Sequence, residues 1–185
     1  MKYDPAKHHR RSIRLPGYDY SQPGYYFVTI CCYQRQRLFG RIIDGAMQLN
    51  QYGEIVDHEW LKSSVIRPNV ELDEYIVMPN HFHGVVIINP VGANGGSPLP
   101  PSTAIPTHPS MKPRSLSSIM AGFKSAVTKK INIMRNAPGT SVWQRNYYEH
   151  IIRNENALNN IRRYIINNPL SWQQDQLHPD NPSQW

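Results

Sequence analysis

The first strong apolar block, Tyr25-Tyr26-Phe27-Val28-Thr29-Ile30-Cys31-Cys32-Tyr33, is an unbroken run of aromatic and β-branched residues. Such a run suits a buried strand. Met47 to Asn50 predicts a short second strand. From Gly53 to Val65, the residues Ile55, Val56, Trp60, Leu61 and Val65 recur at helical spacing. Val70 to Val77 predicts a third strand and His81 to Ile88 a fourth. Met78-Pro79-Asn80 between them reads as a turn, because Pro and Asn favour bends, so these two strands form a hairpin.

Residues 89–113 break the pattern, with seven prolines and three glycines among small polar residues. That composition cannot build a core and reads as a linker or surface insertion. Order resumes at Ser115, a predicted N-cap, after which Leu116, Ile119, Met120, Phe123, Val127 and Ile131 trace a helical face. Val142 to Ile152 reads as extended. Asn154 caps a last helix from Glu155 to about Asn167, stopped by Pro169, with Leu158, Ile161, Ile165 and Tyr164 towards its inner face. Strands interleaved with helices, two of them in a hairpin, predict an α+β fold: one sheet with helices mainly on one face.

Length and composition narrow the class. The 185 residues suffice for one domain, and 39% hydrophobic with 18% charged residues is globular usage. No apolar run reaches the roughly 20 residues that span a bilayer, so no membrane partner is expected. The two cysteines are adjacent, an awkward geometry for a disulfide, which fits a reducing cytoplasmic setting. Residues 1–23 read as a flexible basic lead-in, 24–172 as one domain, and 173–185 as a loose polar tail. Charge is unevenly placed. Residues 1–41 hold eight Lys/Arg against two acids and 111–163 hold ten against two, while 42–110 hold two against seven. Basic flanks within a net +7 chain point to a polyanion, nucleic acid first.

The sharpest chemical signal is His81-Phe82-His83-Gly84. Residues i and i+2 of a strand share a face, so both imidazoles point together while Phe82 points away. Such a pair suits a divalent cation with open coordination positions, and Gly84 leaves room for something bulky to approach. An isolated His-x-His is more often two ordinary strand histidines, so the motif by itself is a weak signal. Tyr164 and Asn168, four apart at the end of the last helix, share one face. A tyrosine beside a phosphate-binding metal can attack a phosphodiester, and an amide oxygen one turn on can serve as a third ligand.

Three segments together resemble a known family. Tyr75-Ile76-Val77-Met78-Pro79-Asn80-His81-Phe82-His83-Gly84 resembles the core motif of single-tyrosine HUH transposases. Val142-Trp143-Gln144-Arg145-Asn146-Tyr147-Tyr148-Glu149-His150-Ile151-Ile152-Arg153 and Tyr164-Ile165-Ile166-Asn167-Asn168-Pro169 are similar to segments of their REP-associated branch. The resemblance spans roughly residues 20–172. It implies a ferredoxin-like or RRM-like antiparallel sheet of the HUH endonuclease type, Mg2+ or Mn2+ as cofactor, and single-stranded or hairpin DNA as substrate. It further implies His81 and His83 as metal ligands, Tyr164 as nucleophile and Asn168 as a third ligand, a position often held by Gln in related enzymes. The implied reaction is nicking through a 5′-phosphotyrosine and rejoining by a 3′-hydroxyl.

Around this centre, Lys124, Lys129, Lys130, Arg145, Arg162 and Arg163 are candidates for DNA-backbone contacts, and Trp143, Tyr147 and Tyr148 for stacking on unpaired bases. Tyr147 and Tyr148 are also the second candidates for the nucleophile. The resemblance accommodates either a monomer or a homodimer. Two rival readings stand beside it: a non-catalytic, domesticated nucleic-acid-binding regulator, and a phosphodiesterase in which His81 and His83 activate water. A structural zinc site is disfavoured, because no cysteine or further histidine has finger-like spacing.

Overall fold

The structure, a computed structural model, describes Leu15, residues 17–90 and residues 112–181. Most of the proline-rich 89–113 segment, and His8 and His9, lie outside the described residues. The chain forms β1 (Gly24–Cys31), β2 (Gly40–Ile43), β3 (Ala46–Leu49), α1 (Gln51–Val65), β4 (Val70–Met78), β5 (His81–Ile88), α2 (Leu116–Met134), β6 (Tyr148–Ile152) and α3 (Glu155–Asn167). Short 3-10 turns occupy Tyr33–Arg35 and Trp172–Gln174.

Four strands pair in the order β4-β5-β1-β6, with β1 antiparallel to both of its neighbours and β4 antiparallel to β5. β1 and β4 are therefore parallel and joined over α1, with β5 inserted between them, which is the ferredoxin-like split βαβ arrangement. β2 and β3 make a separate hairpin inserted between β1 and α1. β3 matches the short strand expected over Met47 to Asn50, while β2 has no counterpart in the apolar pattern, because the side chains of this hairpin are at most half-buried.

The two sheet faces differ. Alternate residues Tyr26, Val28 and Ile30 of β1 and Phe82, Val86 and Ile88 of β5 pack under α1 and α2 in the main core, around Trp60 and Phe123. Each fully buried aromatic there contributes about 2 kcal/mol of transfer free energy. The opposite alternation, with Phe27 of β1 and Val85 of β5, packs against Leu158 and Ile165 of α3 in a smaller cluster. His81 and His83 belong to this second face, so a two-residue period sends them away from the helix pair and towards α3.

The helix starts are set by side-chain caps. The Asn50 carboxamide oxygen accepts from the backbone N–H of Tyr52 and Gly53, and Ser115 and Asn154 do the same for α2 and α3. Three expectations are corrected here. Residues 17–23 are not part of a loose lead-in, since Tyr20 is buried and the Tyr18 ring meets those of Tyr20 and Tyr26 edge to face. The tail from 173 is not loose through residue 181, since Asp175 and His178 are buried. Of the extended stretch 142–152, only Tyr148–Ile152 joins the sheet, with Trp143 making a single bridge to Cys32. Among the described residues no helix is long and apolar enough to cross a membrane.

Candidate active site

β5 is the source of the site. His81 and His83 are both fully or nearly fully buried, and their rings meet edge to face with centroids 4.6 Å apart. Each ring is oriented by a neighbour at Nδ1. For His83 the partner is the Thr29 hydroxyl on β1, at 2.8 Å. For His81 it is Asn80 Oδ1, also at 2.8 Å. The Asn80 amide can face only one way, because its Nδ2 donates to the carbonyls of Arg35 (3.2 Å) and Leu177 (2.7 Å). Its oxygen must then accept from His81 Nδ1–H, which leaves the His81 Nε2 lone pair bare.

The free edges of both rings converge with side chains from α3 and the segment after it. Tyr164 is half exposed, yet its hydroxyl lies 3.2 Å from His83 Nε2, and its ring packs edge-on against Phe27. Asn168, just past the end of α3, donates from Nδ2 to Asp175 Oδ2 at 2.9 Å. Asp175 Oδ2 also stands 3.9 Å from His81 Nε2. Ligand atoms of His81, His83 and Asp175 all lie within 4.8 Å of one another. Two buried atoms of the group, His81 Nε2 and Asn168 Oδ1, have no hydrogen-bond partner. Buried polar atoms are rarely left bare, and these two belong to side chains gathered around Asp175.

Electrostatics favours neutral rings and a protonated phenol. Burial lowers the His81 pKa to about 3, partly offset by the nearby Asn168 amide. Burial also holds His83 well below its ordinary value, reinforced by His81. Neutral imidazole is the ligand form. Burial, with the Asp175 charge, raises the Tyr164 pKa to about 12.

The structure thus brings His81, His83, Tyr164 and Asn168 together within one chain, without a second copy. It adds Asp175, which sequence reading missed; the only signal was a lone carboxylate three residues after Trp172, in a segment without periodicity. Outside this group the expected DNA contacts separate. Arg163 is exposed and lines an open cleft of about 330 Å³ with Asn160, Tyr164, Asn167, Asn168 and Ser171. Lys129 and Arg145 are exposed along a second groove between α2 and residues 139–145. Tyr148 lies on the histidine face, edge-on to Phe27.

The remainder are engaged elsewhere. Trp143 does not face solvent for base stacking, since it is 7% exposed and wedged between Phe39 and Phe123. Tyr147 packs against the helix-covered core, which places it on the wrong face to be a nucleophile beside the histidines. The Lys124 ammonium is committed to the carbonyls of Gln144, Arg145 and Asn146. Lys130 pairs with the buried Glu59. Arg162 holds Asp73 through two contacts of 2.5 and 2.9 Å, bracing α3 against β4 where a one-residue register shift reshapes the strand. Gly84 admits Trp60 rather than a ligand: a Cβ there would lie 2.7 Å from the Trp60 indole.

No family model matches the chain. A protein of Haemophilus influenzae, itself uncharacterized, is 44% identical over 181 residues, covering 97% of this chain and 98% of its own. Among solved structures, a REP-associated tyrosine transposase bound to a REP hairpin superposes with a TM-score of 0.57 at 19% identity, over 95% of this chain and 91% of that one. The chain belongs to one family with the Haemophilus influenzae protein, and its fold is that of the REP-associated tyrosine transposase.

Proposed function

We propose that this protein is a divalent-metal-dependent nuclease and strand transferase acting on single-stranded or hairpin DNA, as a REP-associated tyrosine transposase. The observation that carries this reading is the approach of the Tyr164 hydroxyl to 3.2 Å from His83, beside the bare His81 Nε2 and Asn168 Oδ1 and the Asp175 carboxylate. The matching fold of a transposase bound to a REP hairpin and the basic flanks of the sequence support it.

The donor set fits Mg2+ or Mn2+. Carboxylate and amide oxygens suit hard cations, imidazoles widen the match to Mn2+, and no thiolate enters the group. His81, His83 and Asp175 would hold the ion, with Asn168 Oδ1 as a further donor. When bound, such an ion neutralises charge on the scissile phosphate and orients it.

The chain's own residues do the rest. The Tyr164 oxygen bonds to phosphorus and loses its proton, while the bond from phosphorus to the departing 3′ oxygen breaks and that oxygen gains a proton. The products are a 5′-phosphotyrosine and a free 3′-hydroxyl. Attack by a 3′-hydroxyl on the same phosphorus reverses the exchange and joins strands without an external energy source. Asn168 and Phe27 fix the phenol on its side of the site. Arg163, beside Tyr164 in the open cleft, contacts the phosphate backbone, with Lys129 and Arg145 as more distant contacts and Tyr148 as a stacking surface.

The test is covalent capture. Wild-type protein incubated with hairpin-bearing single-stranded DNA and Mn2+ forms an adduct that survives SDS, and Tyr164→Phe forms none. Free 5′ ends with no adduct and indifference to Tyr164→Phe would replace the reading with a water-activating phosphodiesterase. Tight binding without cleavage would replace it with a regulator.

A further inference from the structure

The chain leaves β1 through a tight turn in which Gln34 and Arg35 both take left-handed backbone angles, φ 53° and 55°. Residues with a Cβ enter that region at a steric cost, and two in succession need a compensating gain. What the turn achieves is direction. It aims the Arg35 guanidinium at three backbone carbonyls of the segment after α3: Gln176 at 2.6 Å, His178 at 2.7 Å and Asn181 at 3.2 Å. Arg37 adds an ion pair to Asp180 at 2.9 Å, and Asn80 donates to the Leu177 carbonyl at 2.7 Å.

The segment so held, Trp172–Asn181, runs as a strap over the end of the sheet where β1 leaves and β5 enters. Apart from one 3-10 turn it has no regular structure, so its docking rests on these side chains and on two rings. Trp172 lies over His81, and His178 packs against Trp172. In the middle of the strap sits Asp175, with Oδ1 accepting from the Leu177 N–H at 2.6 Å and Oδ2 turned to His81 and Asn168.

We infer that Arg35 is a positioning residue for metal binding, delivering Asp175 to the two histidines by clamping the strap. This rests on the metal site proposed above but not on the DNA chemistry. The type of residue matters: a planar guanidinium presents its donors in a rigid fork, so the carbonyls it holds are fixed in direction as well as in distance, whereas a lysine ammonium is a point donor on a flexible stem. With the strap released, the site keeps its imidazoles but loses the one carboxylate that the described residues bring to it. By linkage, a cation that binds the docked form more tightly must favour docking by the same factor.

Electrostatics gives the opposite expectation, which makes the inference testable. The Arg35 charge is near enough to His81 to disfavour positive charge there. If Arg35 acted only as a charge, removing it would tighten cation binding; if it positions Asp175, removing it weakens binding. The experiment is Mn2+ binding to the full chain without DNA, followed by the electron paramagnetic resonance of free Mn2+. Asp175→Ala and Arg35→Ala should each weaken binding by about 10-fold or more, the range for losing a partner that orients a ligand. The double variant should be no weaker than Asp175→Ala alone. Amide exchange across residues 172–181 should slow when Mn2+ is added to wild type, and be fast with or without Mn2+ in Arg35→Ala. Should Arg35→Ala fold poorly, Arg35→Lys carries the same comparison with the charge retained. Unchanged or tighter Mn2+ binding in the Arg35 variant, or an equal further loss in the Asp175→Ala background, overturns the inference while leaving the metal site standing. If His81→Ala and Asp175→Ala both leave Mn2+ binding unchanged, the metal site itself falls.

Discussion

Gly84 follows the two histidines directly, so its role separates two ways of building the site. A Cβ on Gly84 would lie 2.7 Å from Trp60 Cζ2 and 2.9 Å from Phe82 Cε1. Ordinary carbon contacts begin near ~3.5 Å, so a methyl group there intrudes by most of an ångström into a core where Trp60 and Phe82 are fully buried. Overpacking of this kind costs about 1–3 kcal/mol. For a chain of this size a 2 kcal/mol loss lowers Tm by about 4–8 °C. Gly84→Ala should therefore be destabilised in thermal and urea unfolding, with Mn2+ affinity near wild type, because the added methyl points to α1 and not to the histidine face. Trp60→Phe removes the ring that carries Cζ2. The double variant should be less destabilised than the sum of the singles by about 0.5 kcal/mol or more. Unaltered stability of Gly84→Ala, or strict additivity, would refute the packing argument. A stable variant with impaired DNA binding would restore the view that Gly84 admits substrate.

Further expectations follow from other contacts. Arg162→Ala frees α3 from Asp73 and should cost about 1 kcal/mol in unfolding experiments, with a slower adduct-forming step because Tyr164 lies two residues on. The same pair sets an acid limit. Arg162 holds the Asp73 carboxyl below its ordinary value, so its stabilisation is present above the unfolded carboxyl pKa near ~3.9 and fades as pH falls through the lower folded value. The pH dependence of unfolding between about 5 and 2 should accordingly be shallower in Arg162→Ala. Lys124→Met leaves three loop carbonyls without their donor and should destabilise by about 1–2 kcal/mol, with faster amide exchange confined to the stretch before β6. Asn154→Ala removes the α3 cap and should cost about 1 kcal/mol in the same unfolding assay; no change would show that the cap contributes nothing.

Local periodicity was enough to place most elements and the two ends of the chemistry. The two-residue period of β5 puts His81 and His83 on one face, and the helical period of α3 puts Tyr164 and Asn168 on another. Ser115 and Asn154 mark helix starts because a capping side chain acts on its own neighbours, three residues away. Such features are decided within a few residues, so they are legible in one dimension. The β2–β3 hairpin was only half visible, since its side chains are not buried enough to leave an apolar alternation.

What the tertiary structure alone decided are the contacts between segments that share no period. Asp175 reaches histidines more than ninety positions earlier because Arg35 and Asn80 satisfy the carbonyls of its strap, a match of donors to acceptors in space that no spacing encodes. Trp143 and Tyr25 look alike as aromatic residues, but only the packing of Phe39 and Phe123 buries the first while the second stays exposed. The sequence carried the direction in which each side chain leaves its own backbone. Which side chains then met was settled by the matching of donors to acceptors between distant segments and by the filling of core volume.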